Sequence, residues 1–165
     1  VFISRVTQKG VEVISNVATG VIITNSEIVA AAGGGVVLTP GAAGSISAGI
    51  DSLNISRSSI GLQVNSRVKA TVRNSFATNN DSVAFFVSGG TGAVSLVLDN
   101  VTVTNNNVGL NVVGADATGV VSRSTFVNNT IGLKVLGGQI QTFGDNRNLL
   151  NTTPGAPNQP VTMQQ

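Results

Sequence analysis

Six times in 165 residues a small residue stands before an apolar–any–apolar triplet. The copies are Gly10-Val11-Glu12-Val13, Gly35-Val36-Val37-Leu38, Gly61-Leu62-Gln63-Val64, Ala84-Phe85-Phe86-Val87, Gly109-Leu110-Asn111-Val112 and Gly132-Leu133-Lys134-Val135. Their starts are separated by 25, 26, 23, 25 and 23 residues. A second apolar column, Ile3, Ile28, Ile55, Phe76, Val103 and Phe126, keeps step with the first. A period of this length dictates a solenoid, in which each copy buries its apolar face only against its neighbours.

Leucine-rich repeats share this period, but they need Leu at several fixed positions and a helical or turn-rich return segment. Here the returns read VKATVR (68–73) and VSLVLD (94–99), which alternate as strands do. Composition agrees. Strong helix formers are sparse, and a 41% apolar content argues against disorder. An antiparallel sandwich would not hold one register so faithfully. The expectation is an all-β, right-handed parallel β-helix of about six rungs over residues 1–151, the hand following from the preference of parallel crossovers. Prolines 154, 157 and 160 then forbid regular pairing, so 152–165 reads as an extended C-terminal arm. The triple glycine at 33–35 has neither the lysine nor the helix of a phosphate loop and reads as a loop insertion.

Asparagine is a poor strand former, yet it crowds against the apolar triplets in TNN, TNNN and VNN. Counting three residues past the second apolar column gives Asn79, Asn106 and Asn129 in consecutive turns. Neighbouring turns lie about 4.8 Å apart, so identical amides at one corner can bond along the stack. The alternative is that these are solvated turn residues. Alternation points Phe76, Phe85 and Phe126 inward and sets Phe86 outward, in the column Glu12, Val37, Gln63, Phe86, Asn111, Lys134.

In LDNVTVTNNNVGLNVVG and SRSTFVNNTIGLKVLGGQIQTFGDNRNLLN the chain resembles bacterial right-handed parallel β-helix repeat proteins of pectate-lyase-like architecture. That resemblance implies a rung, not an activity. Enzymes of the architecture use clustered carboxylates, for calcium or as acid and base, together with a basic residue and often aromatics. The seven carboxylates here, Glu12, Glu27, Asp51, Asp81, Asp99, Asp116 and Asp145, are dispersed, and counted against the repeat they fall in no single column. There is no His or Cys for a nucleophilic triad or a zinc site, and no Trp or Tyr to hold a sugar. No catalytic, cofactor or metal residue is therefore expected. Arg73 and Arg123, each three residues before a phenylalanine, are candidates for an anionic glycan.

A net charge of +2 with scattered Lys and Arg excludes a nucleic-acid stripe, and no apolar run reaches the roughly 18 residues of a membrane span. The sequence opens without Met or a signal-type segment, as expected of a processed form or a fragment. The function expected is that of a non-enzymatic, structural subunit, extracellular or at the cell surface. Its uncapped ends would stack into a homo-oligomer or filament. In that arrangement Val37 and Phe86 offer a contact surface, Glu12 and Lys134 approach across the joint, and Val161 and Met163 latch it. The rival expectation is a secreted glycan-binding or polysaccharide-cleaving module.

Overall fold

The computed structural model describes residues 1–160. It is a parallel β-solenoid of six turns without helices among the described residues. One face is a six-stranded sheet: Lys9–Ser15, Gly34–Pro40, Ile60–Asn65, Val83–Ser88, Val108–Val113 and Ile131–Leu136. These strands are the triplet repeats, and they pair in the register expected, Glu12 with Val37, Gln63 with Phe86, and Asn111 with Lys134. The rest of each turn belongs to a twelve-stranded sheet that is folded along a bend. Its long face carries Val68–Arg73, Val94–Asp99, Ala117–Ser122 and Gln139–Thr142, and its short face Phe76–Thr78, Thr102–Thr104, Thr125–Val127 and Arg147–Leu149. In the early turns Ala18–Ala31 and Ser45–Ser56 run unbroken through both faces.

The two corners that flank the short face are each made by one residue in the left-handed region, with φ between 46° and 59° in the non-glycine members. The corner between long and short face is Asn25, Ser52, Asn74, Asn100, Arg123 and Gly144. The corner after the short face is Arg5, Ala30, Arg57, Asn79, Asn105, Asn128 and Leu150. Asparagine recurs because its short polar side chain tolerates this conformation better than most. One such residue resets strand alternation. After each non-glycine member of the corner between long and short face, the next residue points into the corner, the one after points out, and the third points into the core, as Ser75, Phe76 and Ala77 do.

That reset corrects two expectations with a single shift. After Asn74 the inward position is Ala77, which pairs with Ile55 and Val103, while Phe76 faces outward and is 38% exposed. Phe85, fully buried, supplies apolar volume in the turn where the column holds only alanine. Phe126 is buried as expected. The shift carries Asn79 with it: three residues past Ala77 is Asn80.

The small residue before each triplet also has a structural cause. A Cβ on Gly61 would lie 2.4 Å from the carbonyl oxygen of Ala84, and one on Gly109 would lie 2.6 Å from that of Gly132. The strand here comes close to the next turn's backbone, so little more than hydrogen fits. Gly35 belongs to this column, and the stretch 33–35 is a turn followed by an in-register strand rather than an insertion.

The two ends differ. At the C-terminal end, the described part of the arm lies along the last turn of its own chain. Gly132 and Leu133 donate to the carbonyls of Thr153 and Pro154, the backbone N–H of Ile140 donates to Asn158 Oδ1, and Gln159–Pro160 pairs beside Gln141 and Thr142. At the other end, Phe2–Val6, Lys9–Ser15 and the first half of Ala18–Ala31 have no strand beyond them among the described residues. Ile3, Val6, Val11, Val13, Val21 and Ile23 pack on the core but are only partly buried, and Val1, Ile14, Val17 and Ile22 are exposed.

Candidate functional site

The asparagine ladder is the most ordered polar feature of the solenoid, and it serves the fold. Its members are Asn80, Asn106, Asn129 and Asn151, with Ser58 above them. Each Oδ1 accepts from the backbone N–H of the residue one turn away: Ser58 to Asn80 at 3.2 Å, Asn80 to Asn106 and Asn106 to Asn129 at 2.9 Å, and Asn129 to Asn151 at 2.8 Å. The Nδ2 groups bond along the same line, Asn80 to Asn106 at 2.9 Å and Asn106 to Asn129 at 3.0 Å. The corner bends the strands away from one another, so the amides satisfy buried N–H groups that the sheet would otherwise leave unpaired. Asn106 and Asn129 are therefore placed as expected, whereas Asn79 stands outside, in the left-handed position beside Asn105 and Asn128. A shorter relay runs at the other corner, where Ser75, Ser124 and Asn146 accept from Leu53, Val101 and Ser124.

Arg73 and Arg123 do not share a column. Arg73 ends a long-face strand in the outward column Thr24, Asp51, Arg73, Asp99, Ser122, and Arg123 is the corner residue that follows that column. Both turn to the protein's own carboxylate. Arg123 holds Asp99 in a two-point contact, Nε to Oδ1 at 3.0 Å and Nη2 to Oδ2 at 2.6 Å, and Arg73 Nε lies 3.8 Å from Oδ2. Asp99 is thus the anion nearest both arginines, the candidates for an anionic glycan. Asp51 and Asp99 stand in this column two turns apart, but the seven carboxylates as a set share no single column. Arg73 separates them, and Asp51 is occupied by the Ser52 hydroxyl and the Asn74 amide at 2.8 and 2.7 Å. Asp145 lies just beyond. The backbone N–H of Arg123, with the Ser122 hydroxyl, holds its carboxyl below the usual range. Among the described residues no group of three His, Cys, Asp or Glu could hold a metal ion.

The outward column on the triplet face has the predicted order but not the predicted exposure. Val37 is 4% exposed, shielded in the stack between Glu12 and Gln63, and Phe86 is half-buried between Gln63 and Asn111. Neither offers the open apolar contact expected of it. Glu12 is paired with Lys9, and Lys134 lies at the far end of the same column. Val161 and Met163 lie outside the described residues.

Sequence reasoning missed the exposed apolar cross-section of the first turn as a specific surface. Val1, Ile3, Val11, Ile22, Ile23 and Ile28 line a hollow of about 280 Å³ there. The signal was present in the repeat, because the first turn has the same apolar columns as every other turn. It missed equally a flank groove of about 410 Å³ lined by Phe2, Ser4, Arg5, Glu27, Val29, Ala30 and Arg57. No helix among the described residues is long and apolar enough to cross a membrane. Comparison with models of protein families, with curated proteins and with solved structures finds no match.

Proposed function

We propose that this chain is a non-enzymatic, structural β-solenoid subunit of the bacterial cell exterior that associates with a second copy of itself through the open end of its first turn. The observation that carries this reading is the asymmetry of the ends. Among the described residues, 152–160 lie along the last turn and hydrogen-bond to it, leaving Leu136, Phe143 and Leu150 exposed, whereas the first turn presents three edge strands around a half-exposed apolar section. Apolar surface and unpaired backbone groups together are what a sheet end must cover. On this edge Lys9 and Glu12 form an ion pair, so a second copy meets no single-sign charge there.

Because residues 152–160 occupy the opposite end, pairing first turn to first turn fits better than head-to-tail stacking. Such a two-fold contact closes, whereas a filament requires that opposite end to be freed. The resemblance to bacterial right-handed parallel β-helix proteins supports the location outside the cell. The absence of His and Cys from the sequence, and the capture of Asp51 and Asp99 by neighbouring side chains, support a structural over a catalytic role.

Sedimentation across a concentration series tests the reading. Wild type should pass from monomer to dimer, and Val11→Lys with Ile23→Lys, which place charge on the end section, should hold it monomeric with an unchanged far-UV spectrum. A wild-type chain monomeric at every concentration, or a double variant that associates as wild type does, sinks the proposal.

A further inference from the structure

The groove on the flank of the first three turns has the make-up of a ligand site, and it opens sideways rather than on the end surface. Arg5, Ala30 and Arg57 are successive members of one left-handed corner column. The two arginines therefore stand two turns, about 10 Å, apart, with only a methyl group between them. Both guanidinium groups can lean over Ala30 and meet on one small anion. In Arg73 and Arg123 the protein fills such a position with its own Asp99; here it does not. Among the described residues the ion pairs are Lys9 with Glu12 and Asp99 with Arg73 and Arg123, so Arg5, Arg57 and Glu27 are all free to engage a ligand.

The remainder of the groove narrows the class. Phe2 and Glu27 are paired across adjacent strands, both exposed, and stand three residues before Arg5 and Ala30 respectively. An aromatic face beside a carboxylate suits a hydroxylated ring. The C–H face of a sugar packs on the phenyl ring, and its hydroxyl groups donate to the carboxylate. Ser4 adds a donor and acceptor midway. A free carboxylate at that end also disfavours an extended polyanion, whose next charge would fall against Glu27.

We propose that this groove binds a sugar unit carrying one phosphate or sulfate ester. The tetrahedral oxyanion sits between Arg5 and Arg57 over Ala30, and the ring lies on Phe2 with its hydroxyls toward Glu27. Planar guanidinium forks match tetrahedral oxyanions with paired hydrogen bonds, which is why two arginines at this spacing favour such a group over a simple halide.

Titration with glucose 6-phosphate, glucose 6-sulfate and inorganic phosphate, followed by amide NMR, tests the site. The two sugar esters should produce saturable shifts at Ser4, Arg5, Ala30 and Arg57, and inorganic phosphate weaker shifts confined to the arginine end. Arg5→Asn and Arg57→Asn should each weaken sugar-ester binding roughly ten- to hundredfold, the cost of one charge-assisted contact. Asparagine is the replacement of choice because Asn79, Asn105 and Asn128 hold the same corner conformation, so the fold survives. Phe2→Ala should weaken glucose 6-phosphate and leave inorganic phosphate unchanged. Binding absent at millimolar ligand, or undiminished in the two asparagine variants, overturns the site. An unchanged affinity in Phe2→Ala overturns the sugar assignment.

Discussion

Replacing Asn106 by alanine strikes the ladder where it makes the most bonds. The side chain is 3% exposed. Its Oδ1 accepts from both the backbone N–H and Nδ2 of Asn80, each at 2.9 Å. Its Nδ2 donates to Thr104 O at 2.9 Å, Asn129 Oδ1 at 3.0 Å and Ala77 O at 3.1 Å. Asn106→Ala leaves two buried donors on Asn80 without an acceptor. At about 1–3 kcal/mol for each unsatisfied group, the expected loss is about 2–6 kcal/mol, with the low figure applying if a water enters the vacated corner. A domain of this size is typically stable by about 5–15 kcal/mol, so the change is large.

Asn79 is the internal control. It is adjacent in sequence and equally an asparagine, but at φ 53° it faces outward in the corner column. Asn79→Ala should cost about 1 kcal/mol, the penalty of alanine in the left-handed region, and Asn79→Gly should cost less still. Urea unfolding followed by far-UV circular dichroism measures both, and the slope should be unchanged so that midpoints compare directly. If Asn106→Ala loses no more than Asn79→Ala, the ladder is not what satisfies this corner and the reasoning fails.

The two phenylalanines of the short face should separate in the same assay: Phe126→Ala should lose about 3–5 kcal/mol, and the exposed Phe76→Ala less than about 1 kcal/mol. Equal losses would restore the unshifted register. Gly61→Ala, whose new Cβ would lie 2.4 Å from Ala84 O, should cost about 1–3 kcal/mol, while Gly49→Ala, with open space at that position, should be near neutral. For Asp145, the folded carboxyl titrates below its unfolded value of 3.8, so its contribution to stability is present above pH 3.8 and is lost as pH falls through the lower folded value. Side-chain carbon NMR should place its midpoint under 3.8, and Ser122→Ala should move that midpoint upward.

The triplet repeat alone determined that the chain is a parallel β-solenoid, how many turns it makes, and which residues of the triplet face look out. Period-2 alternation and a repeat near 24 residues are local properties, and each turn meets only its neighbours, so little long-range information is needed. Asn106 and Asn129 were legible as ladder members for the same reason, as was the burial of Phe126.

What the sequence left to the tertiary structure lies at the corners and ends. A single left-handed residue at Asn74 resets the alternation, and because its neighbours FAT contain both a large and a small apolar residue, size pointed to Phe76 while the backbone selected Ala77. Asn80 was displaced from the ladder count by the same step. The pairing of Arg73 and Arg123 on Asp99 followed from it too, since a one-residue shift decides which column a charge occupies. The ends were beyond local reasoning altogether. Whether a proline-bearing segment projects or lies down depends on the carbonyls and N–H groups the last turn presents to it, and whether Arg5 and Arg57 can share an anion depends on the alanine that the turn between them happens to supply. Those are contacts between turns, set by stacking, and no window along one turn contains them.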